Sequence, residues 1–133
     1  MQNRDLAADY IKRAEIRLSA IEVLLQLSSW ADVVRESQEA IELALKAMLR
    51  SHGVEVPRVH DVSKIIEEHA ARLPKELDLK RLAAISKELR RDREIAFYGS
   101  EDLTPSEFYS QDDATKALES AKYVVFAVKP FVN

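Results

Sequence analysis

Apolar residues recur at steps of three and four along almost the whole chain, and each such stretch is bounded by a residue that starts or stops a helix. Asn3 can cap a first helix from about Arg4 to Leu27, whose stripe is Ala7, Tyr10, Ile11, Ala14, Leu18, Ile21, Leu24 and Leu25. Lys12, Arg13, Glu15, Arg17 and Glu22 occupy its other faces. Ser28 and Ser29 break it, and Ser29 with Asp32 resembles a capping arrangement with a carboxylate in the favourable first turn. The second helix carries Val34, Ser37, Ile41, Ala44, Leu45 and Met48 on one face and ends near His52, where Gly53 can take the left-handed conformation. The short break predicts that these two helices are antiparallel neighbours.

Pro57 makes Val54–His60 a loop. Asp61 is placed to cap a short third helix, Val62 to about Arg72, with Val62, Ile65, Ile66 and Ala70 inward and Leu73-Pro74 at its end. Asp78 opens a fourth helix with Leu79, Leu82, Ile85 and Leu89 as its stripe, stopped by Gly99. Ser100–Tyr109 reads as an acidic, polar loop. Ser110 with Asp113 starts a last helix, whose stripe is Ala114, Ala117, Leu118, Ala121, Val124, Val125 and Val128, and Pro130 ends it. The expectation is one all-α domain, residues 1–133: an up-and-down bundle of four long helices plus one short helix.

Composition narrows the function classes. With only 2 glycines and 4 prolines in 133 residues, few turns are available, which suits long helices. The absence of cysteine excludes disulfides and thiolate metal sites. No His pair has metal-site spacing, no glycine-rich phosphate loop is present, and no cofactor is expected. No apolar run reaches the roughly 18 residues a membrane span needs, and the N-terminus does not read as a signal peptide, so a cytoplasmic protein is expected. The net charge of −3 argues against a general nucleic-acid coat and leaves room for a local basic patch.

Such a patch lies late in the fourth helix. From Lys80 to Arg93 there are six basic residues against two acidic ones. Its end, Arg90–Gly99, reads RRDREIAFYG. Arginine presents a planar fork suited to phosphate oxygens, and Tyr98 or Phe97 can stack on a base. The same arginines would also oppose the macrodipole at a helix C-terminus or pair with acids of neighbouring helices. Glu42 and Lys46, four apart, form either an exposed ion pair or, with Glu39, the wall of a cleft facing the fourth helix. His60 is a loop hydrogen-bonder or a site residue, and His52 a cap of the second helix.

The order and spacing of these features resemble the HEPN family, the higher eukaryotes and prokaryotes nucleotide-binding domain. The residues carrying the likeness are Gln38, Glu42, Lys46, Gly53, Pro57, His60 and Asp61, followed by RRDREIAFYG and the last helix. The resemblance implies a helical bundle, usually a homodimer, that works near nucleotides or RNA. Many such proteins are metal-independent ribonucleases, and some accompany a minimal nucleotidyltransferase as a toxin–antitoxin or modification pair. The ribonuclease members carry Arg-x4–6-His, often Arg-Asn-x3-His-x-Tyr. Setting Arg91, Asp92 and Tyr98 on that pattern puts Ala96 at the histidine position, and starting from Arg93 puts Tyr98 there. No histidine follows His69. Metal-independent cleavage needs a base for the 2′-hydroxyl and charge stabilisation for the phosphorane. Arginine serves the second; alanine cannot serve the first, and tyrosine, with a pKa of about 10, is a poor base near neutrality.

Three readings follow. In the first, a non-catalytic or divergent member binds a nucleotide, RNA or a nucleotidyltransferase partner at the end of the fourth helix, through Arg90, Arg91, Arg93, Tyr98, Glu42, Lys46 and His60. In the second, an endoribonuclease uses Arg91 or Arg93 with Tyr98 or His60. The third is a structural adaptor without a ligand. Leu43, Leu49, Val33, Phe97, Phe126 and Phe131 exceed what one small bundle needs inside and would form a shared dimer face.

Overall fold

The helix signals translate closely into structure in the computed structural model, which describes the backbone of residues 2–98 and 104–132 and the side chains of these outside positions 2–4 and 89–98. Four long helices, α1 (Gln2–Gln26), α2 (Trp30–Ser51), α4 (Leu79–Tyr98) and α6 (Gln111–Val128), are joined by two short ones, α3 (Ser63–Glu68) and α5 (Pro105–Phe108). No strand occurs among the described residues. None of their helices is long and apolar enough to cross a membrane.

Both early breaks are closed by the same hydrogen-bond pattern. At the end of α1, the Ser29 and Ser28 N–H groups donate to the Leu24 and Leu25 carbonyls, with Ser28 at φ +59°. At the end of α2, the Val54 and Gly53 N–H groups donate to the Leu49 and Arg50 carbonyls, with Gly53 at φ +74°. This is the 6→1 and 5→2 pairing that satisfies orphan carbonyls, and it turns Val54 inward to sit buried with Leu49. His52 adds an Nδ1 bond of 2.8 Å to the Met48 carbonyl. Ser29 occupies the N-cap of α2, but its hydroxyl donates to Asp32 Oδ2 at 2.7 Å instead of capping a backbone N–H.

α2 lies at the centre. It packs against α1, α4, α5 and α6, so burial extends well past the one stripe its sequence suggests. Ala31, Val33, Ala40, Ala47 and Leu49 are buried together with the expected Val34, Ile41, Ala44, Leu45 and Met48. This corrects the expectation of a shared dimer face at Val33 and Leu49, both of which are fully buried inside the single chain. Leu43 and Phe131 pack at the edge of the same core, Phe126 is 58% exposed, and Phe97 lies outside the described side chains.

The third helix is shorter than its apolar pattern. It stops at Glu68, and Ala70–Arg72 continues as a tighter 3₁₀ turn whose i→i+3 bonds bring Leu73 into the core. Part of the segment expected to be loop is one turn of helix, α5, because Thr104 and Glu107 form a reciprocal capping box ahead of Pro105. The turn packs on α2 and α4, and the following Tyr109 is buried with Trp30, Ala31, Val34 and Ala117. Ser110 and Asp113 form a second capping box that starts α6, and Arg81 of α4 lies 3.7 Å over the ring of Tyr123 on α6.

Candidate functional site

The loop between α2 and α3 is pinned at two adjacent residues to two different helices. On the α2 side, Glu42 and Lys46 stand one turn apart, and the Lys46 ammonium donates to Glu42 Oε2 at 2.9 Å. Their side chains are only 17% and 15% exposed, so this is not the exposed surface pair that spacing alone suggested. The other oxygen of the same carboxylate, Oε1, lies 2.7 Å from Nδ1 of His60. An ionised carboxylate only accepts, so it favours the imidazole tautomer with its proton on Nδ1. Nε2 has no partner among the described residues, and the ring is about half exposed.

On the α4 side, Asp61 Oδ1 accepts from the Ser63 N–H at 2.9 Å and faces the Ser86 hydroxyl at 3.3 Å. Ser86 Oγ in turn accepts from the Val62 N–H at 3.0 Å. Val62, not the expected Asp61, is the N-cap of α3; Asp61 stands one residue earlier, where its carboxylate meets the first N–H of the helix and ties that opening to α4. Ser86 is 5% exposed within the apolar face of α4. Sequence reasoning passed it over; the signal was a serine one turn after Leu82 on the core side of a helix.

The helical state of α4 persists through Tyr98. The side chains of Arg90, Arg91, Arg93 and Tyr98 lie outside the described residues. The helical repeat places positions 90, 93 and 97 in register with Ser86, and position 91 in register with Lys80, Ala84 and Lys87. Of the expected site residues, Glu42, Lys46 and His60 are brought into one hydrogen-bonded group.

An open groove lies beside this group, lined by Arg58, His60, Asp61, Lys64, Glu67 and Lys87. It adjoins a more apolar slot between α3 and α4, floored by Ile66, Ala70, Leu79 and Ala83 and edged by Lys80 and Lys87. Arg58 and Lys64 were not among the residues singled out from sequence. Their types and separation carry no signal until the loop and α3 are folded onto α4.

The HEPN domain model matches residues 7–130 of the chain. A protein of Methanocaldococcus jannaschii named "Putative toxin MJ1304" is 29% identical over 132 residues, covering 93% of this chain and 86% of that one. A solved structure, "ST0689, an archaeal HEPN homologue", superposes with a TM-score of 0.72 at 23% identity, over 96% of this chain and 98% of the other.

Proposed function

The chain belongs to the HEPN family, and from that premise we propose that it is a divergent, non-catalytic member that binds a nucleotide, RNA or a minimal nucleotidyltransferase partner where α4 passes the His60 loop. The observation that carries this reading is the convergence of Glu42, Lys46 and His60 through bonds of 2.9 and 2.7 Å, beside the helix that bears Arg90, Arg91 and Arg93. Glu42 neutralises Lys46 and steers His60, which leaves the imidazole edge to meet an anion. The missing histidine after His69 withholds the usual family base. The working place is the cytoplasm.

The experiment has two arms. Fluorescence anisotropy with a labelled short RNA and with a mononucleotide measures binding by the wild type and by Arg91→Ala, Arg93→Ala and Arg90→Ala. Weakened binding in the arginine variants supports the reading, and unaltered, salt-insensitive binding refutes it. Incubation of RNA in EDTA is expected to leave the RNA intact.

A second reading, a metal-independent endoribonuclease of toxin type, draws on the name of the archaeal relative and on the carboxylate-backed imidazole of Glu42 and His60. It predicts cleavage in EDTA that His60→Gln abolishes. Self-association is part of the proposal. Ile16, Val23, Leu27 and Phe126 are each more than half exposed and supply apolar surface for a second copy. Sedimentation as a monomer at micromolar concentration counts against it.

A further inference from the structure

The described basic side chains of this protein fall into two groups. Most are engaged: Arg13, Arg17, Arg35, Lys46, Lys116, Lys122 and Lys129 each face a carboxylate. Arg81 and Arg50 lie over tyrosine rings, and Arg72 donates to the Gly53 carbonyl. Six more, Lys12, Arg58, Lys64, Lys75, Lys80 and Lys87, are exposed and have no ion-pair partner among the described residues. Four of these six, Arg58, Lys64, Lys80 and Lys87, gather on the two adjoining depressions along α3 and α4, which share Lys87 and Glu67.

We infer that this continuous α3–α4 face is a track for the phosphates of a single-stranded polynucleotide, with Arg58, Lys64, Lys80 and Lys87 as its cations and the Ile66–Ala83 slot as an apolar rest for a base. The inference rests on the nucleic-acid branch of the function proposed above and specifies a chain of phosphates, not a mononucleotide. Three arguments select that occupant. The face is positive in a chain whose net charge is −3, so its charge opposes the average of the molecule and complements a polyanion. Lys80 and Lys87 stand two turns apart, about 10 Å along the axis, which one phosphate cannot bridge and a chain of them can. Position 91 continues the same register, so the track leads towards the end of α4.

The two acids on the face act differently. Asp61 is committed to the Ser63 N–H and the Ser86 hydroxyl. Glu67 has no ion-pair partner among the described residues and opposes a passing phosphate. Its replacement is therefore a sensitive test.

The test is anisotropy of a fluorescein-labelled twelve-residue oligouridylate titrated with full-length protein at several salt concentrations, with uridine monophosphate as competitor. The triple variant Arg58→Ala/Lys64→Ala/Lys87→Ala is expected to weaken binding roughly 10- to 100-fold near 0.1 M salt and to flatten the log–log salt slope by about 2, since each contact with a single strand contributes roughly 0.7. Glu67→Lys is expected to tighten binding, Lys12→Ala/Lys75→Ala to leave it unchanged, and the monophosphate to compete poorly. The side chains of Arg58, Lys64, Lys87, Glu67, Lys12 and Lys75 are exposed, and a thermal melt checks that each variant is folded. A triple variant that binds within twofold of wild type with the same slope overturns the track. If Arg90→Ala/Arg93→Ala removes binding while the triple variant keeps it, the track falls and the α4-end site stands. The opposite pattern sustains the track and refutes that site. Retention of polyglutamate without any RNA binding also overturns the inference, in favour of an acidic protein.

Discussion

Replacing Ser86 by alanine isolates the joint that holds the His60 loop to the bundle. Two hydrogen bonds disappear. The Ser86 Oγ to Asp61 contact is 3.3 Å, long for a hydroxyl donor, so its loss counts for little. The Val62 N–H bond to Oγ is 3.0 Å and sits at a residue with no solvent exposure. Removing that acceptor leaves a buried backbone donor unpaired, which costs about 1–3 kcal/mol. For a chain of this length the melting temperature should fall by roughly 3–10 °C. Urea unfolding should show a lower midpoint with an unchanged m value. Amide exchange should accelerate at Val62 more than at residues of α1 or α6. The loop on which His60 depends loosens at the same time, so the proposed RNA binding should weaken with stability. A loss of stability under about 0.5 kcal/mol, with the Val62 amide still protected, would show that another acceptor serves this N–H and that α4 does not anchor the loop.

Gly53→Ala should destabilise by about 1–2 kcal/mol, because φ is +74° and L residues bear a penalty of that order in the left-handed region. The added Cβ would stand 3.0 Å from the Arg72 guanidinium, whose bond to the Gly53 carbonyl should be lost; thermal melts beside Gly53→Asn, expected to lose less, check this. Glu107 should titrate below the ordinary glutamate value of 4.5, first because the Thr104 hydroxyl and then because the Thr104 N–H bonds the ionised carboxylate. A depressed pKa means that its contribution is complete above 4.5 and fades as the pH falls through the lower folded value. A carboxyl NMR titration should show this shift shrinking in Thr104→Ala.

Much of the fold could be read from local rules. Stripes at steps of three and four located α1, α2, α4 and α6, and Gly53 and the Ser110–Asp113 pair marked ends that depend only on nearby backbone. What escaped depended on neighbours distant in sequence. α2 showed one apolar stripe, yet it is covered on several sides, so Val33 and Leu49 seemed available for a partner until α1, α4 and α6 were in place. The α5 turn was hidden because four residues carry too little periodicity, although Thr104 and Glu107 held a capping signal. In the site, the i,i+4 step of Glu42 and Lys46 was visible, but the contact from His60 crosses 18 positions and no spacing rule predicts it. Only the family resemblance put those residues together. Ser86 was overlooked because a small polar residue on an apolar face carries no meaning until Asp61 and Val62 arrive opposite it.

Arg35, Glu39, Glu42, Lys46 and Arg50 fall along one strip of α2, a charged and partly exposed side of this otherwise largely enclosed rod. The His60 bond to Glu42 lands in the middle of that strip. Whatever pulls the imidazole away tugs first on the axle of the molecule instead of on a peripheral spoke, so a change at this surface ring would reach the central rod through a single bond.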